Sequence, residues 1–116
     1  MLERFEQLTV WQKSHALTIC VYRLTARFPN EEKFGLTSQM RRCAFSVPAN
    51  IAEGFKRAGQ KDKAHFYNIA QASLEELRYY FILCRDLEFD LDFDNLSAQA
   101  DEIAKMLHGL IKSIKP

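Results

Sequence analysis

Large apolar side chains return every three or four residues in four separate runs of this chain, and only four glycines and three prolines interrupt its 116 residues. Steps of three and four keep side chains on one face of an α-helix, whereas a half-buried strand needs strict alternation. No alternating run of β-branched residues bounded by hairpin turns occurs. The chain is thereby confined to long helices with short joints.

The first run is Val10, Ser14, Leu17, Val21, Leu24 and Phe28, widened by Trp11, Thr18, Tyr22 and Thr25. It predicts a helix over about 9–28, with Thr9 as its N-cap and Pro29 as its stop, because the residue before a proline is pushed out of the helical region. The second run is Leu36, Met40, Cys43, Val47, Ile51 and Gly54, with Pro48 inside it. An interior proline removes a backbone bond and costs about 3 kcal/mol. Since the rhythm keeps its phase past Pro48, one kinked helix over about 36–55 is expected. Residues 56–63 form a joint. A third run follows through Phe66, Ile69 or Ala70, Ser73, Leu77, Tyr80, Cys84 and Leu87, predicting a helix over about 62–88. After the acidic stretch 88–94, in which Asp92 or Asp94 can cap what comes next, Leu96, Ala100, Ile103, Leu107, Leu110 and Ile114 predict a helix over about 95–114, with Lys112 and Lys115 suited to its C-terminus. The simplest architecture is all-α, a single domain over 1–116 forming an antiparallel up-down-up-down four-helix bundle with a Pro-kinked second helix.

Composition sets the function classes. With 47% hydrophobic and 27% charged residues, the chain can build a core without staples. Its stretches free of charge, such as Cys43 to Ala52, are far shorter than the roughly 20 apolar residues that span a bilayer. The opening MLERFEQLTVWQK lacks the pattern of a secretory leader. Three widely spaced cysteines, Cys20, Cys43 and Cys84, read as buried, reduced thiols of a cytoplasmic protein. His15, His65 and His108 fall on three different predicted helices without the pairs that bundle metal sites need, so no metal is expected and each reads as a surface or rim residue. Ser46 lacks a nucleophile elbow, Cys43 has no adjacent histidine, and the four glycines are too scattered for a phosphate loop. Neither a cofactor nor enzymatic activity is expected.

Charge is unevenly placed. Residues 1–67 hold 11 Lys and Arg against 6 Asp and Glu, whereas residues 68–116 hold 5 against 9. Arg41, Arg42, Lys56, Arg57, Lys61 and Lys63 face only Glu53 and Asp62 in their stretch, and with the nearby rings of Phe55, Phe66 and Tyr67 they suit contact with phosphates and bases. Solvated loops between helices have the same composition. In an up-down bundle this basic joint and the acidic one, with Asp86, Glu88, Asp90, Asp92 and Asp94, lie at opposite poles. A second constellation contains Gln39, Arg41 and Arg42, then Ser46 through Gly54. There Asn50 and Glu53 either hold a partner or serve the helix itself, Asn50 by bonding near Pro48 and Glu53 by pairing with Arg42 or Arg41. Finally, Trp11, Tyr22, Phe45, Phe55, Tyr67, Tyr79 and Phe89 exceed what one small bundle readily encloses, which predicts an oligomer.

Leu8-Thr9-Val10-Trp11-Gln12-Lys13, Val21-Tyr22, Phe28-Pro29, Phe34-Gly35-Leu36, Gln39-Met40-Arg41-Arg42, Ser46-Val47-Pro48-Ala49-Asn50-Ile51-Ala52-Glu53-Gly54 and Ala70-x-x-Ser73-Leu74-x-Glu76-Leu77 together make the chain resemble the four-helix-bundle proteins encoded in intervening sequences of bacterial 23S ribosomal RNA genes. Trp11, Gln39, Pro48, Asn50, Glu53 and Gly54 carry much of that likeness. Lys56 and Ala72 depart from it, standing where small residues, often glycine, are usual. The resemblance implies a bacterial cytoplasmic protein, an up-down bundle and a ring-like homo-pentamer. The family is related to the accessory protein of diversity-generating retroelements, a basic ring that binds reverse transcriptase and nucleic acid. The functional expectation is a non-enzymatic, self-assembling binding or scaffold protein that contacts structured RNA through its basic loop. The alternative is an assembly or adaptor protein with a polypeptide partner and no nucleic-acid contact.

Overall fold

The computed structural model describes residues 1–114, so the expectation for Lys115 lies outside the described residues. Four helices account for most of the chain: α1 (Thr9–Thr25), α2 (Leu36–Lys56), α3 (Gln60–Asp86) and α4 (Phe93–Ile114). Short 3₁₀ turns at Phe5–Gln7 and Asn30–Glu32 complete the regular structure, and no strand occurs among the described residues. Each helix packs on the next, most extensively α2 on α3, and α1 also meets α4. Thr18 meets Ala44 and Thr25 meets Arg41; Arg42 meets Glu76 and Ser46 meets Ser73; Arg78 meets Asp101 and Arg85 meets Phe93. Numbering thus runs in opposite senses along each successive pair.

The apolar runs of α1 and α2 form the core as expected: Val10, Ser14, Leu17, Val21 and Leu24 are buried, as are Leu36, Met40, Cys43, Val47, Ile51 and Gly54. Along α3, Ala70, Ser73, Leu77 and Cys84 are buried as expected, but the aromatic positions of the stripe are shifted by one residue. Tyr67 and Phe81 are buried, Phe66 and Tyr80 are half-buried, and Ile69 and Leu87 are exposed. Aromatic residues stand side by side at 66–67 and 79–81, so both phases look apolar. A strict 3.5-residue rhythm also drifts against the true helical turn over so long an element. In α4, Ile111 takes the buried place expected of Leu110.

Several helix ends differ from expectation. Thr9 is the first residue of α1 rather than its cap; Leu8 holds the cap position without a side-chain bond, and its carbonyl accepts from the Gln12 amide at 3.1 Å. The helix closes at Thr25, short of Pro29. The joint between α2 and α3 narrows to three residues, since α3 begins at Gln60. At the far end of α3, Glu88 adopts φ 64° while the Phe89 amide donates to the Cys84 carbonyl at 2.9 Å and the Glu88 amide to the Arg85 carbonyl at 3.0 Å. This reversed turn ends the helix at Asp86 and seats Phe89 against Phe28. Asp92 Oδ1 accepts from the Asn95 amide at 3.2 Å, which is the capping role expected of that residue.

α2 runs without interruption through Pro48. Proline has no N–H to offer the Ala44 carbonyl, and that carbonyl is buried. The donor comes from α1: Thr18 Oγ1 lies 3.0 Å from the Ala44 oxygen and 2.8 Å from the Ser14 oxygen of its own helix. Thr18→Val should therefore cost about 1–3 kcal/mol in the native chain by leaving that carbonyl without a partner. The cost should be clearly smaller in a Pro48→Ala background, where the backbone N–H restored at position 48 serves the same oxygen. Urea denaturation of the four chains measures this coupling, and equal costs in both backgrounds would disconnect the two residues.

Candidate functional site

Residues 39–54 of α2 line its seam with α3 in three layers. In the first, Arg42 Nη2 donates to Glu76 Oε2 at 2.8 Å, Arg42 also donates to Gln39 Oε1 at 3.1 Å, and the Tyr80 hydroxyl donates to Glu76 Oε2 at 3.1 Å. A hydrogen bond from the Cys43 thiol, with those from Tyr80 and Arg42, holds the Glu76 carboxyl below its ordinary pKa. Burial, and then the Glu76 carboxylate, push the Cys43 thiol up to about 12. In the second layer the Ser46 and Ser73 hydroxyls share a 2.8 Å bond, and Asn50 Nδ2 donates to the Ser46 carbonyl at 2.7 Å and its hydroxyl at 3.0 Å. In the third, Gly54 faces the Tyr67 ring. Asn50 thus bonds one turn back along its own helix beside Pro48. Glu53 pairs with neither Arg42 nor Arg41; its partner is Arg57, at 3.2 Å. The reason is reach: Glu76 approaches Arg42 across the seam, whereas Arg57 lies one helical turn from Glu53. Trp11 stands on the opposite side of α2, stacked on His15 at 5.0 Å and edge-on to Phe5 at 5.1 Å.

The six cations singled out in the sequence do not form one surface. Arg41 and Arg42 sit about 20 Å along α2 from Lys56. Arg41 lies against α1, with its Nε 2.8 Å from Thr25 Oγ1 and its guanidinium 4.6 Å from the centre of the Tyr22 ring. Arg57 stacks on Phe66 at 4.6 Å. Lys63 Nζ donates to the Gly54 and Phe55 carbonyls, at 3.1 and 2.7 Å, and so closes the C-terminal end of α2. Only Lys56 and Lys61 of the six stand exposed without an ion pair or hydrogen bond among the described residues. The N-terminal turn brings Glu3, Arg4 and Glu6 to the same end, lining one groove with Phe55 and Lys56. The carboxylates near the basic joint are consequently four, Glu3, Glu6, Glu53 and Asp62, rather than the two counted along the local sequence. His15, His65 and His108 are exposed. No three metal-binding side chains converge among the described residues.

Residues 6–109 match the family model of the 23S rRNA-intervening sequence protein. The chain belongs to that family. Among solved structures it is similar to a protein with unknown function from the S23 ribosomal protein family of Bacteroides thetaiotaomicron, with 27% identity and a TM-score of 0.81 over 89% of this chain and 95% of the other. No curated protein matches the chain significantly.

Within this family member, three features escaped the sequence: the bond from Thr18 to Ala44, the arrival of Glu3 and Glu6 beside Lys56, and the burial of Tyr67. Only the complementary small residue, Gly54, hinted at the last. The thiols separate by environment. Cys43 and Cys84 are fully buried, and burial raises Cys84 to about 11, whereas Cys20 is half-buried. At about pH 8 a disulfide reagent should titrate Cys20 in the folded chain and reach all three thiols only in denaturant. A second fast thiol under native conditions would show that the α2–α3 seam opens.

Proposed function

We propose that this family member is a non-enzymatic, self-assembling scaffold, a homo-oligomer and, by its family likeness, a pentameric ring. The observation that carries this reading is the presence of exposed large apolar side chains on three of the four helices. On α1 and the adjoining face of α2, Ile19, Tyr22 and Phe45 are 38, 39 and 47% exposed; on α3, Ile69, Tyr79 and Ile82 are 36, 56 and 41% exposed. Apolar surface left on several sides of one subunit suits head-to-tail contacts between copies, which close into a ring when the rotation permits. Light scattering after size exclusion should return a multiple of the 13.5 kDa chain mass at micromolar concentration. Phe45→Glu, on an exposed position, should lower that multiple without loss of helicity. A native chain that elutes as a monomer would overturn the reading.

A second reading, contact with structured RNA at the α2–α3 joint, is favoured by Lys56 and Lys61, which ring assembly would repeat once per subunit. Arg41, Arg42, Arg57 and Lys63 have intramolecular partners and would contribute less. RNA binding followed across salt concentrations should show a slope that falls by roughly one to two on Lys56→Ala with Lys61→Ala. No binding at low salt, or an unchanged slope, would leave an assembly protein whose partner is a polypeptide.

A further inference from the structure

At the end of the bundle away from Lys56, the α1–α2 and α3–α4 joints lie side by side. Phe28 meets Phe89 edge to face at 4.9 Å, and Arg27 approaches Asp90 at 3.7 Å. Two large apolar side chains stand out from this end: Phe34, 89% exposed, and Leu87, 51% exposed. Neither contributes to the core, and each leaves apolar surface in water. Arg23 of α1 lines a groove with Arg27 and Asp92 at this end, and the two joints themselves, residues 27–35 and 85–94, hold seven carboxylates against three cations. Those cations have neighbours already: Arg27 has Asp90, Arg85 has Asp86 and the Phe93 ring, and Lys33 lies over the ring of Phe34 itself.

We propose that this end of the bundle is a docking surface for a basic amphipathic polypeptide segment, one carrying Lys or Arg beside large apolar side chains. Phe34 and Leu87 supply the apolar anchors, and the surplus carboxylates select the charge of the occupant. Nucleic acid is repelled by that surplus. The basic joint of a second copy is a poor occupant, because Arg57 is paired with Glu53, Lys63 is spent on the carbonyls of α2, and Glu3 and Glu6 stand beside Lys56, one of its two free lysines. The surface is preformed, since the turn at Glu88 and the Phe28–Phe89 contact fix both joints, so little ordering entropy opposes docking. α3 separates it by about 40 Å from the α2–α3 joint, and both ends can be engaged together.

The test is fluorescence anisotropy of the full chain with three labelled synthetic peptides of equal length. One has lysines and leucines at helical spacing, one has the same lysines with serines, and one has glutamates with the same leucines. The Lys/Leu peptide should bind with a dissociation constant that rises with salt, and at least about tenfold more tightly than either comparator. Phe34→Ser with Leu87→Ser should weaken it by at least about tenfold while leaving melting temperature and oligomeric mass unchanged, because both positions are exposed. Equal binding of the Lys/Leu and Lys/Ser peptides, equal binding of the Lys/Leu and Glu/Leu peptides, or undiminished binding by the double variant would each overturn the proposal.

Discussion

Gly54 has no side chain, and the ring of Tyr67 occupies the space one would take: a Cβ built on Gly54 would lie 2.5 Å from Tyr67 Cε1. Because Tyr67 is only 2% exposed, its ring has nowhere to retreat. This close approach sets how near α2 and α3 come and in what register. Counting back along α2 and forward along α3 from that contact brings Ser46 to Ser73 and then Arg42 to Glu76. The polar layers of the seam are therefore consequences of a steric fit. α1 is then fastened to the outer side of α2 by Thr18 on Ala44 and Arg41 on Thr25, and the Phe28–Phe89 contact ties the two joints at one end.

The same geometry decides what the charges can do. A chain with a basic first half looks suited to phosphates, yet most of its cations are consumed within the fold. Arg42 neutralises Glu76, Arg41 stacks on Tyr22, Arg57 answers Glu53, and Lys63 closes a helix end. Each bond satisfies a group that packing has partly withdrawn from water, and each removes a cation from the exposed field. At the acidic end the balance is reversed: the carboxylates outnumber the cations that could answer them, and the field there stays negative over roughly a Debye length of 8 Å. The surface character of the protein follows from this residue rather than from its composition.

Apolar side chains on the outside tell a complementary story. The core claims one stripe per helix, and Ile19, Tyr22, Phe45, Ile69, Tyr79 and Ile82 remain outside it. Their places follow from the helical turn once the core stripe is fixed. A rod of 45 × 24 × 20 Å is slender and short of interior volume, so such side chains stay at its surface.

Helix content, the joints and nearly all of the core in α1 and α2 were legible in the sequence, because a helix is a local structure whose periodicity is printed in steps of three and four. The cap at Asp92 and the exposed histidines were legible for the same reason. In α3 local information ran out where adjacent aromatics offered two phases, and only the vacancy at Gly54 across the seam chose Tyr67 over Phe66. Likewise the partner of Glu53, the donor for the Ala44 carbonyl and the carboxylates beside Lys56 depend on residues far away in sequence. Tertiary packing brings those together, since hydrogen bonds and ion pairs act over a few ångströms of space whatever the separation along the chain.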